Sequence, residues 1–231
     1  MPNVILRSLF ARVGTVLIAL VCLYVVGIIW LSDGYGNGLQ ALSVAVLIVV
    51  GLWLLWWRPQ ADLRDDALYV RNAWHTHRVS WDVVETARTR WELVLETSDA
   101  DGNQKNVTIA AAQRGGAFST AWRQRHQPST NEAYLIPSAR TFRTHLPSDD
   151  AAQLIDLYKE TRDEQHKYAA RQEKRARRME KHGGEAVSVA QDSAASVSGE
   201  EHTGVETSVN WSSAIVLVLA VLAVVASTVL L

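Results

Sequence analysis

The chain has 231 residues, a formal net charge of −1 and 48% hydrophobic residues, with a mean hydropathy of −0.01. These averages conceal three segments that hold no Lys, Arg, Asp or Glu: residues 13–31, 39–57 and 210–231. Each is close to the roughly 20 apolar residues that cross a hydrocarbon core of about 30 Å, which excludes a single water-soluble globule and a polytopic transporter of ordinary size.

The first run follows Arg7 and Arg12. It exceeds the roughly 7–15 apolar residues of a signal peptide, and it ends in Ile28-Ile29-Trp30-Leu31 rather than in small residues suited to cleavage. It is expected to stay as a span. Cys22, the single cysteine, lies inside it. An intramolecular disulfide and a cysteine-based zinc site are therefore excluded, and Cys22 reads as a small hydrophobe.

After Ser32-Asp33-Gly34-Tyr35-Gly36-Asn37-Gly38 the second run begins at residue 39. Two spans with a Gly-rich turn predict an antiparallel transmembrane hairpin over residues 1–57. Arg7 and Arg12 precede it, Arg58, Arg64, Arg71 and Arg78 follow it, and the turn carries only Asp33. The positive-inside rule puts both outer flanks in the cytoplasm. Trp30, Trp53, Trp56 and Trp57 lie near the span ends, where indole rings favour the headgroup layer. Gln40 and Ser43 are the only strongly polar side chains of the second run. Spans without ionisable groups read as anchors rather than as a transport pathway.

From Arg58 to about Leu146 the pattern changes to short alternating segments. Leu68 and Val70, then Val79, Trp81 and Val83, then Trp91, Leu93 and Leu95, then Val107 and Ile109 are each spaced by two. That is the signature of half-buried antiparallel strands. Turns are expected at Asp65-Asp66, across residues 72–76 and at residues 98–103. Residues 113–131 read as a long loop. Trp81 and Trp91 are expected in the core. His75 and His77 share a face if their segment is a strand, but no third metal ligand is near them in sequence, and His126 and His145 have no evident partner.

Pro147-Ser148-Asp149-Asp150 is a helix start, with Ser148 as the expected cap and two acids at the favourable end of the helix dipole. Ala151, Leu154, Ile155, Leu157 and Tyr158 then give an apolar stripe. Beyond Tyr158 the helix is polar, and it is expected to run to Gly183-Gly184, a length of about 50 Å if it is continuous. Residues 183–210 hold five acids and no Lys or Arg. They read as a disordered acidic linker, which would let the domain and the last span separate. Residues 211–231 form the third span, and its C-terminus is expected outside. Its Ala220, Ala223, Ala226 and Ser227 make either a packing face against the hairpin or part of a plain Ala/Val-rich anchor.

Arg58-Pro59, Leu63-Arg64-Asp65-Asp66-Ala67-Leu68, Val70-Arg71-Asn72 and Val79-Ser80-Trp81-Asp82-Val83-Val84 together resemble the first part of a bacterial pleckstrin-homology (PH) domain. They are most similar to the actinobacterial group named after low molecular weight protein antigen 6, whose members often carry a membrane hairpin before the domain. The resemblance covers roughly residues 58–114. Ala67 departs from the glycine usual after the acidic pair. The resemblance implies two roughly orthogonal antiparallel sheets capped by a helix, and no particular activity. The expected architecture is thus an α+β membrane protein: hairpin 1–57, PH-like barrel or sandwich with a long helix over 58–182, linker 183–210 and terminal span 211–231.

The sequence contains no P-loop, no Gly-x-Ser-x-Gly, no His-Glu-x-x-His and no Gly-x-Gly-x-x-Gly. A non-enzyme without cofactor is expected. Contact residues for a lipid or protein partner are sought among Trp74, Arg114, Trp122, Arg123 and Arg125, and in the basic run of the late helix: Arg171, Lys174, Arg175, Arg177 and Arg178. The first expectation is a module at the cytoplasmic face of the plasma membrane that binds another membrane protein. The second is an anionic-lipid sensor reading headgroups through these arginines and lysines. The third is an accessory subunit of a larger membrane complex. Nucleic acid is not expected, because no aromatic interleaving accompanies the basic run.

Overall fold

The computed structural model describes residues 1–89, 92–98, 104–113, 132–182 and 204–230. Strand β1 (Asn3–Leu6) leads into α1 (Leu9–Leu52), which continues through a π-helical turn at Trp53–Trp57. Then follow β2 (Gln60–Leu63), β3 (Leu68–Arg71), β4 (His75–Val79), β5 (Val84–Thr89), β6 (Glu92–Ser98), β7 (Gln104–Gln113) and β8 (Thr141–Thr144). The chain closes with helix α2 (Ser148–His182), strand β9 (Val205–Val209) and helix α3 (Trp211–Leu230). One sheet has the order β8-β1-β2-β3-β4-β9 and the other β5-β6-β7. The β1–β8 pair is parallel, and the other pairs are antiparallel.

Helix α1 is 44 residues long but does not run straight. Gly34 adopts φ +84° and ψ −178°, a conformation open to a residue without Cβ. There the chain reverses. The Arg12 guanidinium lies 5.2 Å from the Trp57 ring centre. A Cβ at Gly14 would meet Trp56 at 3.2 Å, and one at Gly38 would meet Trp30 at 2.8 Å. A straight helix would separate Arg12 from Trp57 by roughly 65 Å. The two arms therefore form the expected antiparallel hairpin. Gly38→Leu is expected to force the arms apart and destabilise the full chain by about 1–3 kcal/mol, the range for overpacking. Thermal unfolding in detergent measures this. Gly36→Leu, with open space around its Cβ, serves as the matched control.

Helix α3 packs on the second arm. The Ser43 and Ser227 hydroxyls are 2.7 Å apart, and Ala220 is buried. At the other end Arg58 donates to the hydroxyls of Ser212 and Ser213. The Ser213 hydroxyl donates to the carbonyl of Ala73 at 2.7 Å. Of the expected small-residue face, Ala220 and Ser227 turn toward the neighbouring arm, whereas Ala223 and Ala226 are exposed. With Cys22→Ser in the background, Ser43→Cys combined with Ser227→Cys is expected to close a disulfide under mild oxidation, because the side chains already meet. Thr228→Cys in place of Ser227→Cys is expected to stay reduced, as Thr228 is on the exposed side.

The core lies between the sheets and α2. It holds Val4, Leu6, Leu63, Leu68, Val70, Trp81, Leu93, Leu95, Ile109, Leu154, Ile155 and Tyr158. Trp81 stacks on Tyr158 with ring centres 5.3 Å apart, and its indole N–H donates to the carbonyl of Arg64 at 2.7 Å. Trp91 lies outside the described residues.

Several expectations change. Residues 3–6, assigned to the hairpin, are a central strand of the domain sheet, because Val4 and Leu6 bury completely between β2 and β8. Residues 205–209, assigned to the linker, are an edge strand on β4. Its ladder is completed by Asn210, whose backbone N–H donates to the Trp74 carbonyl at 2.8 Å and whose side chain donates to the Asn72 carbonyl at 3.0 Å. Helix α3 is therefore tied to the sheet at Asn210, the residue that precedes it. The expected strand through Trp81 and Val83 is a 3-10 turn. The strand β4 begins at His75, inside the expected turn. Ser148 is the first residue of α2 and does not cap it. Its hydroxyl is buried without a hydrogen-bond partner, and the Pro147 carbonyl accepts from Ala151 instead.

Candidate functional site: the two ends of the domain

Strand β1 runs toward α1, and β2 runs away from it. Residues 7 and 60 thus mark the end of the domain from which the apolar helices emerge. Pro2 and the turn of residues 64–67 mark the far end. Strand β8 is parallel to β1, so α2 starts at the helical end. It then climbs to the far end. The Asp156 carboxylate accepts from the backbone N–H of Ala87 at 3.2 Å. The Tyr158 hydroxyl donates to the Pro2 carbonyl at 2.8 Å. Burial first, and the Asp65 carboxylate second, push the Tyr158 hydroxyl well above its ordinary pKa. The Arg162 Nε donates to the carbonyl of Asp65 at 2.7 Å, and His166 lies 3.3 Å from the Asp65 carboxylate.

After these contacts α2 leaves the domain. It is continuous over 35 residues, a length of about 52 Å. From His166 to Met179 every side chain is exposed. Arg171, Lys174, Arg175, Arg177 and Arg178 all lie on this projecting arm, where Arg177 pairs with Glu173 one turn before it. The arm extends from the far end, away from the apolar helices. It shares no neighbourhood with Trp74, which sits in the β3–β4 turn at the helical end and is 40% exposed. The remaining expected contact residues, Arg114, Trp122, Arg123 and Arg125, lie outside the described residues.

The helical end carries a second basic group, whose members Arg7, Arg12, Arg58 and Arg71 the sequence marked only as flanks of the apolar runs. Arg7 donates twice to the Gln60 side-chain oxygen, at 3.1 and 2.6 Å. Arg12 lies over Trp57, and its like-charged neighbours are Arg7 and Arg143. His145 is held below its ordinary pKa by partial burial and then by Arg12 and Arg7. Arg58 is likewise lowered, by burial and then by Arg71. The signal in the sequence was weak because Arg143 and His145 lie more than 130 positions after Arg7 and Arg12 and are brought beside them by the parallel β1–β8 pair.

A groove of about 400 Å³ between β5 and α2 is lined by Glu85, Asp156, Lys159, Glu160, Asp163, Glu164 and Lys167. Its acids alternate with lysines, and Lys159 donates to the carbonyl of Val84. His75 and His77 stack with ring centres 6.1 Å apart, and His77 bonds Thr207 at 2.9 Å. Among the described residues no three His, Cys, Asp or Glu side chains are placed to share a metal ion.

Compared with known families, curated proteins and solved structures, the chain matches none. Two of its helices, Leu9–Trp57 with its reversal and Trp211–Val229, are long and apolar enough to cross a membrane.

Proposed function

We propose that this chain is a non-enzymatic interaction module, anchored in the plasma membrane by the hairpin and by α3, which presents a PH-like domain to the cytoplasm and binds another membrane protein there. The observation that carries this reading is the direction of α2. The domain is seated on its apolar helices through β1, β2 and β9, and the basic half of α2 projects from the opposite end. A rigid domain with a helical arm held off the bilayer suits the cytosolic part of a neighbouring membrane protein with an acidic face.

The PH-like reading rests on three features. Strands β2, β3 and β4 form one antiparallel set and β5, β6 and β7 another. The helix that follows β8 packs against β5, β6 and β7. The Asp-Asp turn lies between β2 and β3. The parallel β1–β8 pair and the added edge strand β9 are features the resemblance does not imply. The cytoplasmic orientation rests on Arg7, Arg12, Arg58 and Arg71 at the helical end, against a hairpin turn carrying only Asp33.

A photo-crosslinking residue at Arg175 of the full chain, irradiated in native membranes, tests this. The expected result is one discrete adduct with another membrane protein, reduced by Arg171→Glu combined with Arg178→Glu. A chain that gives no adduct there and migrates alone in mild detergent overturns the reading.

A further inference from the structure

Among the described residues, Arg7, Arg12 and Arg143 at the helical end have no counter-ion. In the parallel β1–β8 pair Ile5 stands opposite Arg143. The next bond of that ladder runs from the Arg7 N–H to the Thr144 carbonyl at 3.1 Å. Side chains alternate along a strand. Arg143, Arg7 and His145 therefore share the outer face, opposite to the buried Val4, Leu6 and Thr144. Arg12 joins them from the first turns of α1, with Arg7 and Arg143 as its charged neighbours.

Among the described residues none of these three guanidinium groups is paired with a carboxylate. Arg7 is held by the neutral amide oxygen of Gln60. The amide nitrogen of Gln60 reaches Asp62 at 3.4 Å, and Asp62 is already occupied by Arg64 at 3.5 Å. Arg12 is held by the face of Trp57. Both holders orient a guanidinium without neutralising it. Arg7 and Arg12 are half-buried and Arg143 is exposed; three such charges repel one another, and an anion that bridges them removes that cost. A phosphate group fits best, because its oxygens accept paired N–H bonds from guanidinium forks.

We propose that Arg7, Arg12 and Arg143, with His145 beside them, form a binding site for a phosphate group at the base of the hairpin. The site stands apart from the α2 arm, so its fate and that of the protein-binding reading are separable. The anion is either the headgroup of an anionic lipid or free phosphate. Arg12 lies within the first turns of the apolar helix and Trp57 at the end of the second arm, the level at which lipid phosphates sit in a bilayer that these arms cross.

The full chain, purified in mild detergent and stripped of lipid, is titrated with phosphatidylglycerol, with phosphatidylcholine and with inorganic phosphate. Bound lipid is counted by native mass spectrometry, and the His145 ring is followed by NMR. Saturable retention of phosphatidylglycerol over phosphatidylcholine is expected, with an upward shift of the His145 titration as the arginine field is neutralised. Arg12→Gln and Arg143→Gln are each expected to weaken retention about tenfold, and Arg175→Gln on the α2 arm is expected to leave it unchanged. Displacement by millimolar inorganic phosphate assigns the site to the free ion, and resistance to it assigns the site to lipid. Equal retention of both lipids with no effect of inorganic phosphate on His145 overturns the proposal. So does loss of binding in Arg175→Gln alone. Arg12→Lys separates charge from geometry: it is expected to keep His145 low in the empty protein yet bind less tightly, whereas a destabilised fold would return His145 to its ordinary titration.

Discussion

A soluble fragment covering residues 58–182 is expected to show no cooperative unfolding transition. The apolar pattern draws the domain boundary at Arg58, directly after the second arm of the hairpin. The structure places β1 between β2 and β8, in the interior of the larger sheet. Removing residues 1–57 exposes the sites filled by Val4 and Leu6, both fully buried, at roughly 1.5–3 kcal/mol each. It also strips the hydrogen-bond ladders of β2 and β8 along their shared neighbour. The buried Tyr158 hydroxyl loses the Pro2 carbonyl, a further cost of about 1–3 kcal/mol. These losses together approach the whole stability of an ordinary domain, about 5–15 kcal/mol. A second fragment, with residues 1–7 joined to residue 58 by a short Gly/Ser linker in place of the hairpin, is expected to regain the transition. The two ends it must join already lie side by side, since Leu6 pairs with Ala61. Urea titration followed by circular dichroism compares the two fragments. A sharp transition in 58–182 alone would show that β1 is dispensable.

Trp81→Ala is expected to destabilise the domain by about 3–5 kcal/mol, the range for deleting a buried large aromatic side chain. Trp81 is 1% exposed, stacks on Tyr158 and donates to the Arg64 carbonyl. It therefore joins the turn between β2 and β3 to the docked half of α2. Trp81→Phe keeps most of the stacking but leaves that carbonyl without its donor, so about 1–3 kcal/mol is expected. Trp74→Ala, at an exposed turn position, is expected to stay within about 0.5 kcal/mol. Chemical denaturation of the full chain in detergent, read by far-UV circular dichroism, ranks the three. Equal effects of Trp81→Ala and Trp74→Ala would remove Trp81 from the core.

The hairpin was legible because it is encoded locally. Two uncharged runs separated by a Gly-rich turn have few alternatives, and Gly34 takes the positive φ that such a turn needs. The start of α2, its apolar stripe and its end near Gly183 were equally legible from spacing, while its continuity past Tyr158 was decided by the structure. The role of residues 3–6 was not. Asn3-Val4-Ile5-Leu6 is too short to show a period, and it lies next to a much stronger apolar signal. Strand β9 was hidden for the opposite reason. Val205 to Val209 stands in an acidic, Ser-rich stretch, and four of its five residues are exposed. Its place comes from backbone pairing with β4, which composition does not record. Contact residues were sought in runs of charge, and a run finds the α2 arm. It misses Arg7, Arg12 and Arg143, each of which is an isolated arginine in sequence.

By itself the sequence determined which segments are apolar enough to enter a bilayer, that α2 is long and mostly solvated, and that Trp81 belongs inside. Each of these depends on residues within one or two helical turns or strand repeats of one another, where side-chain chemistry decides. Only the tertiary structure decided that the first strand belongs to the domain, that the terminal helix is tied to the sheet at Asn210 and Ser213, and which way the basic arm points. Those outcomes are set by backbone ladders between strands more than 50 residues apart, and a backbone hydrogen bond is available to every residue except proline and so leaves little trace in residue type.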